Sequence, residues 1–321
     1  MPTVTINNQL TLVELAKRTN NKDLLLITEV LNETNELLDD AVWIEGNQTI
    51  SHKGSQRTFL PVGTWRRINS GVEQEASATK QIVEPMGMLE AYSTVDKKLV
   101  EIAPNPMEFR SQEDLAFVEG LSQSLIDAII YGNLSTDPEK FDGLATRYSK
   151  LADTNVLGQG GTGSDTTSVW IIQWGPTRCH LVYPRGSQSI GIGTRDLGEQ
   201  TVYDANSNPY QAFRTHFEIN CGLFVHDQRC VQRLANIETA GATNTLDDDS
   251  LVILLGRMLQ RGVGAVIYAN RTICTQLDIL AKDKTNVNYT SADVFGKPTT
   301  LFRGVPVKLV DALLDTETAI A

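Results

Sequence analysis

Residues 105–132 read NPMEFRSQEDLAFVEGLSQSLIDAIIYG and carry the clearest helix signal in the chain. Asn105 is a capping residue type, Pro106 suits the first helical position and Glu108 the third. Apolar residues then recur at helical spacing before a stop at Gly132: Leu115, Val118, Leu121, Leu125 and Ile129. The pattern predicts one helix over 106–131, about 39 Å long, whose apolar stripe packs into a core.

Upstream of this helix, residues 45–92 have the pattern of a long hairpin with two β-prone segments, 56–62 and 80–86. The outgoing limb, 46–72, has four basic residues and no acidic one: Lys53, Arg57, Arg66 and Arg67. The return limb has one basic residue, Lys80, and four acidic ones: Glu73, Glu75, Glu84 and Glu90. Limbs of opposite charge pair with each other or dock on neighbouring copies. A hairpin whose charges are simply solvated is the alternative that the sequence leaves open.

The first forty residues have the pattern of an arm. A capping-box pattern at Thr11 predicts a helix to about Arg18, and a second helical stretch extends to Leu38. Two short helices with so few apolar residues make no core alone, so we expect them to lie on this chain's body or on another copy.

Downstream of the long helix, the pattern mixes strands and helices without repeats. Strands are predicted on both sides of His226-Asp227, over 218–225 and 230–234. A helix from Asp247 to Arg261, a buried strand at 264–269, a helix capped by Asn270 and a strand at 305–310 follow. The chain therefore belongs to the mixed α/β (α+β) class.

Composition narrows the functional classes. Of 321 residues, 41% are hydrophobic, and 28 basic against 39 acidic residues give a formal net charge of -11. A protein that binds DNA over a wide footprint needs an excess of basic residues, so the acidic net charge argues against this class of protein. No membrane span or signal peptide is visible, which predicts a soluble protein that stays where it is made. Four scattered cysteines predict reduced thiols in a cytosol.

No motif assembles an active site. Residues 158–163, GQGGTG, match the dinucleotide fingerprint, but no strand–helix context surrounds them, so a flexible loop is the expected explanation. The four histidines lack metal-ligand spacing, and Cys221 and Cys230 stand in apolar strands where a thiol is inert. We predict no enzyme activity, no cofactor and no metal.

Arm, charged hairpin, long helix and α/β body follow the order found in one family, and local motifs agree. The motifs include 43–47 (WIEGN), 141–145 (FDGLA), 174–176 (WGP), 183–187 (YPRGS), 222–227 (GLFVHD), 269–272 (ANRT) and 302–307 (FRGVPV). Together they resemble major capsid proteins of tailed bacteriophages with the Hong Kong 97-like fold, in particular those of short-tailed phages.

The resemblance implies a division of the chain. It comprises an N-arm (1–44), an E-loop hairpin (45–92), a peripheral domain (93–150) with a spine helix (106–131), a first axial segment (151–211), a peripheral strand pair (212–240) and a second axial segment (241–321). Because this strand pair usually comes near the chain's end, its position here predicts a permuted segment order.

The resemblance also implies a function: a structural subunit that self-assembles as pentamers and hexamers into an icosahedral virion head, built in the host cytoplasm. Its expected partners are further copies, a portal protein, scaffolding and decoration proteins, and double-stranded DNA that is enclosed rather than bound, with no membrane involved. The predicted intersubunit contacts are Lys53, Arg57, Arg66, Arg67, Glu73, Glu75 and Glu84.

Two other functions remain open at this point. An encapsulin-like bacterial compartment shares the fold but encloses enzymes, so nucleic acid inside particles separates it from a phage head. A cytosolic enzyme that binds a nucleotide at the Gly158 loop is the remote alternative, and a nucleotide that raised the monomer's thermal stability would favour it.

Overall fold

The structure is a computed structural model. It describes residues 33–187, 191–241, 243–281, 289–294 and 297–321, together with 10, 15, 18–20 and 23–24. Most of the helix predicted over 11–18 and of the stretch predicted to be helical up to Leu38 lies outside the described residues, although Leu15 and Arg18 are described and are helical. Where that stretch is described, Asp23–Leu24 pairs with Thr19–Asn20 as a short antiparallel ladder, so these residues are extended and not helical.

The described helices are α1 (Leu37–Asp40), α2 (Lys97–Ile102), α3 (Pro106–Tyr131), α4 (Leu144–Arg147), α5 (Asp248–Arg257) and α6 (Arg271–Ala281). The strands are β1 (Thr19–Asn20), β2 (Asp23–Leu24), β3 (Trp43–Glu45), β4 (Ser51–Phe59), β5 (Ala78–Pro85), β6 (Gly87–Asp96), β7 (Val156–Gly158), β8 (Thr166–Ile172), β9 (Cys179–Tyr183), β10 (Gly193–Tyr203), β11 (Pro209–Val225), β12 (Val231–Glu238), β13 (Val266–Ala269), β14 (Tyr289–Val294), β15 (Lys297–Phe302) and β16 (Val305–Leu309). The mixed α/β prediction is confirmed.

The long helix α3 has the predicted bounds. Asn105 caps it in both directions: its Oδ1 accepts a hydrogen bond from the Glu108 backbone N–H at 3.4 Å, and its Nδ2 donates to the Glu108 carboxylate at 3.0 Å. The predicted apolar stripe is wrong at Leu115, which is 63% exposed, whereas Leu121, Leu125 and Ile129 are buried.

The chain divides into two compact units. The first comprises Met1–Glu33, Met88–Leu125 and Gln188–Asn220, and the second comprises Thr34–Gly87, Ile126–Ser187 and Cys221–Ala321. The allocation of segments to peripheral and axial domains stays a prediction.

A small apolar core stabilises the first unit. Its buried members are Leu15, Val95, Leu99, Val100, Ala103 and Phe109, and Leu10 and Phe213 pack against them. Leu15 and Leu10 belong to the arm, so these arm residues lie on this chain's own body, which is one of the two predicted resting places. In the same unit, β10 pairs antiparallel with β11 from Gly193↔Glu218 to Tyr203↔Pro209.

A seven-stranded sheet organises the second unit, in the order β14-β15-β16-β13-β8-β12-β7. Every residue of β8 is buried, because α5 and α6 contribute Leu251, Leu254, Leu255, Ile273 and Leu277 to a core with the sheet. Helix α5 ends at Arg257, earlier than predicted, since Gln260 and Arg261 adopt positive φ angles of 51° and 55° that an α-helix cannot continue.

The predicted strand pair within 212–240 is wrong. Strand β11 pairs with β10, β9 and β6, whereas β12 pairs with β7 and β8 in the seven-stranded sheet. The turn of 3-10 helix at Gln228–Cys230 carries the chain from one sheet to the other, so these consecutive strands do not form a hairpin.

A buried ion pair connects β12 to the last residues of the chain. The Arg233 guanidinium contacts the Glu317 carboxylate at 2.9 Å, and only 4% and 6% of the two side chains are exposed. Arg233 also donates to the Tyr148 carbonyl at 2.8 Å and to the Ser168 hydroxyl at 3.0 Å. The Tyr131 hydroxyl donates to the second Glu317 oxygen at 2.6 Å, so every charged atom of the pair has a partner.

No helix among the described residues is long and apolar enough to cross a membrane.

Candidate assembly surface

The E-loop hairpin is a long two-stranded ladder. Strands β4 and β5 pair from Ser51↔Pro85 to Phe59↔Ala78, with a register shift between Arg57 and Phe59. Residues 60–77, which we call the hairpin tip, connect the strands and are exposed throughout. A two-stranded ladder of this length is at most marginally stable alone, so it needs other surfaces to hold it.

Six of the seven charged residues predicted as intersubunit contacts are exposed on this hairpin. Lys53 and Arg57 lie on β4, and the hairpin tip carries the others: Arg66, Arg67, Glu73 and Glu75. Glu75 accepts hydrogen bonds from the backbone N–H groups of Val62 and Gly63, at 2.8 and 3.2 Å, which ties the two sides of the tip together.

The two limbs do not neutralise each other. Among the described residues, no ion pair joins a basic residue of the outgoing limb to an acidic residue of the return limb. Their register explains this, because Lys53 lies opposite Val83 and Arg57 lies opposite Thr79.

Glu84, the seventh residue, has a different role. The Glu84 carboxylate accepts hydrogen bonds from both terminal nitrogens of Arg147, at 2.6 and 2.7 Å. Only 13% of the Glu84 side chain is exposed. Arg147 also donates to the Asp142 and Leu223 carbonyls. This bidentate pair holds the hairpin to its own subunit.

Sequence reasoning from charge missed the apolar character of the hairpin tip. Trp65 is fully exposed, as the largest member of an exposed set that also includes Leu60, Val62, Ile68 and Val72. Large exposed apolar patches are typical of protein interaction sites. The signal was present in the sequence as five large apolar residues within one basic limb.

Phe224 holds the base of the hairpin. Gly54 of β4 lies over the Phe224 ring so closely that a Cβ there would stand 2.3 Å from Cζ. The Gln56 side chain donates a hydrogen bond to the His226 carbonyl. Gln56, Arg57 and the residues 226–229 also line a polar cleft of about 740 Å³.

The Gly158 loop has a structural role. It joins β7 to β8, two strands of one sheet, and no helix follows it. The Gly161 N–H donates to the Asn236 carbonyl at 2.9 Å, and the Gly163 carbonyl accepts from the Ala319 N–H at 2.9 Å. The loop follows a strand but leads into another strand instead of a helix, and hydrogen bonds fasten it where a flexible loop was expected.

The cysteines lack the environment of reactive thiols. Cys179, Cys221 and Cys230 are buried, and burial raises the pKa of each, to about 11 for Cys230. A raised pKa lowers the thiolate fraction that reacts. In the described part of the chain, no group of three or more His, Cys, Asp or Glu side chains could hold a metal ion.

Comparison with known proteins gives a consistent result. The family model of the major capsid protein GP7 matches residues 19–321. The structure of bacteriophage Epsilon15 shares 29% sequence identity over 99% of both chains, with a TM-score of 0.71. The bacteriophage JBD30 capsid covers 94% of this chain and 99% of its own at 11% identity, with a TM-score of 0.52.

The SrpI encapsulin from Synechococcus elongatus is a weaker match, with 10% identity, a TM-score of 0.44 and coverage of 71% of this chain and 96% of its own. No curated protein sequence matches the chain.

The GP7 model spans nearly the whole chain, and the fold of the Epsilon15 structure covers it from end to end. The chain therefore belongs to the GP7 family of major capsid proteins, has the Hong Kong 97-like fold and is a subunit of a phage head shell.

Proposed function

We propose that this subunit assembles as pentamers and hexamers into an icosahedral head that encloses double-stranded DNA, and that the E-loop hairpin makes contacts between copies. The observation that carries the proposal is the hairpin's exposed surface, which combines an apolar tip with charged limbs that form no ion pairs across the ladder. We infer that assembly takes place in the host cytoplasm.

The apolar tip supplies affinity. Burying one large apolar side chain contributes about 1.5–3 kcal/mol, and each of the many copies in a shell presents the same set. Trp65 is the anchor we expect to contribute most, because aromatic side chains dominate interface energetics.

The charged limbs supply direction. Lys53, Arg57, Arg66 and Arg67 lie on one limb, whereas Glu73 and Glu75 lie on the other, so one hairpin meets its neighbour head-to-tail with opposite charges in contact. Charge complementarity at an interface sets register and rejects wrong pairings more than it adds affinity. Glu84 is left out of this contact set, since its carboxylate already pairs with Arg147.

The acidic character of the chain suits enclosure of DNA. A net charge of -11 repels phosphates, so we expect packaged DNA to stay unattached to the wall. A portal protein, a scaffolding protein and a decoration protein are the further partners we propose.

Charge reversal tests the contact set. The variant carrying Arg66→Glu and Arg67→Glu changes only exposed side chains, so its subunits should fold with an unchanged circular dichroism spectrum and melting temperature. We expect few or no closed shells by electron microscopy. The matched control, Arg66→Lys with Arg67→Lys, retains both charges and should assemble.

Normal heads from the reversed variant would show that these contacts are dispensable. Absorbance at 260 and 280 nm on wild-type particles tests the enclosed cargo, because particles that carry enzymes and no nucleic acid would favour an encapsulin-like compartment instead.

A further inference from the structure

Three of the four histidines in the chain meet at one phenylalanine. The ring centroid of Phe224 is 4.7 Å from that of His52, 5.3 Å from that of His180 and 5.9 Å from that of His226. The His52 and His180 rings also contact each other edge to face at 5.8 Å. The three histidines are far apart in the sequence, so their spacing did not predict that they would meet.

The cluster lies where the hairpin base meets its own subunit. His52 belongs to β4, His180 lies opposite Phe224 in the β9–β11 ladder, and His226 follows β11. Gly54 rests on the same Phe224 ring, and Gln56 binds the His226 carbonyl. Any change in the cluster therefore acts on the hairpin's attachment.

The environment favours neutral imidazoles. His180 is 2% exposed, Nδ1 of His52 is buried without a hydrogen-bond partner, and the ring nitrogens of His180 are buried with only the Gly175 backbone near them. Burial, followed by the nearby His52, lowers the pKa of His180 to about 4. Burial and the nearby His226 lower the pKa of His52 below its usual value.

The direction of the pH effect follows from these shifts. A histidine whose pKa is lowered in the packed state binds a proton more readily once it is released into water, with a pKa of about 6.5. The packed state is thus favoured above about pH 6.5, and the preference is lost as the pH falls towards 4.

Other charged groups surround the cluster from each element packed against it. They are Lys53 and Arg57 on β4, Glu84 on β5, Arg147 on α4, Arg178 before β9, and Asp227 and Arg229 after His226. Glu84 is paired with Arg147, and Asp227 is paired with Arg229 and also lies near enough to His226 for their charges to attract. The cleft lined by His226 gives protons a route to the cluster.

We propose that His52 and His180 form an acid-operated latch around Phe224, which holds the hairpin base on that ring while the two imidazoles are neutral and releases it when they are protonated. The latch goes beyond the proposed contacts between copies, because it acts within one subunit.

Hydrogen exchange on the full-length unassembled subunit tests the latch. The readout is protection of the amides in residues 51–58 at pH 7.5 and pH 5.0, corrected for the intrinsic pH dependence of exchange. With a pKa of about 4 when packed and 6.5 when released, His180 alone predicts about a 30-fold loss of protection. Protection in the buried strand β12 should stay constant.

Variants identify the responsible group. In His180→Gln we expect the loss of protection between the two pH values to shrink at least severalfold. In the milder half-buried substitution His52→Gln we expect a smaller reduction, because His180 remains. His216→Gln is the matched control, since His216 stacks on Tyr92 and contacts Glu90, neither of which belongs to the cluster, and it should behave as wild type.

Equal pH dependence in the wild type and both cluster variants would overturn the proposal, as would a wild type without pH dependence. The proposal would also be overturned if Glu84→Gln removed the pH dependence of protection while both histidine variants kept it. That result would assign the pH dependence to the Glu84 carboxylate. Because the subunits are unassembled, none of these results depends on whether the hairpin contacts other copies.

Discussion

Breaking the buried pair Arg233–Glu317 should strongly destabilise the second unit, and Arg233→Met tests this. The substitution keeps most of the side-chain volume but leaves the Glu317 carboxylate buried without its counter-charge, because both side chains are less than a tenth exposed. Removing one partner of a buried pair costs about 3–5 kcal/mol. This is a large share of the roughly 5–15 kcal/mol that separates folded from unfolded proteins.

The assay is urea unfolding of the unassembled subunit, followed by circular dichroism. For a slope of about 3 kcal/mol per molar urea, the unfolding midpoint should fall by about 1–1.7 M. Arg229→Met is the matched control, because Arg229 pairs with Asp227 at a similar distance of 2.8 Å but is 64% exposed. Exposed pairs contribute about 0–1 kcal/mol, so its midpoint should scarcely move.

A double variant separates the loss of the pair from the loss of packing. Arg233→Met combined with Glu317→Leu removes both charges, so it should recover part of the stability that Arg233→Met alone loses. The reasoning is refuted if Arg233→Met and Arg229→Met shift the midpoint equally, or if the double variant unfolds at a lower urea concentration than Arg233→Met alone.

Two further substitutions test local packing. Gly54→Ala places a methyl group 2.3 Å from the Phe224 ring, so the ring has to move. We expect the free energy of unfolding in urea to fall by about 1–3 kcal/mol and hydrogen exchange in β4 to become faster. Unchanged exchange would mean that the hairpin base does not depend on this contact. Asn105→Ala removes the reciprocal cap of α3 and should lower the free energy of unfolding by about 1 kcal/mol. Asn105→Asp still accepts a hydrogen bond from the Glu108 N–H, so it should retain most of the wild-type stability. Equal losses in both variants would contradict a capping role.

Local patterns in the sequence predicted several elements with accuracy. Helix α3 starts and ends at the predicted residues, since a cap at Asn105 and a stop at Gly132 act on the backbone within one turn. The E-loop hairpin and the strand β13 were predicted for the same reason: alternation and apolar runs are properties of neighbouring residues. The resemblance to phage capsid proteins, carried by short motifs along the chain, is confirmed by the family match.

The candidate surface was predicted only in part. The charges of the outgoing limb were visible as a run of basic residues, whereas charge alone gave no indication of the apolar tip. The role of Glu84 was not visible, because its partner Arg147 lies 63 residues away and only folding brings the two together.

Contacts distant in sequence account for the remaining differences. Strands β11 and β12 follow each other closely, yet each joins a different sheet, because partners from elsewhere in the chain compete with the hairpin between them. Leu115 has the helical spacing of a core residue but faces solvent, since burial depends on what packs against the helix. The histidine cluster formed in the same way. The sequence thus determined the elements and the family through short-range patterns, whereas the tertiary structure decided pairing, burial and ionisation, because these depend on which distant groups come within a few ångströms.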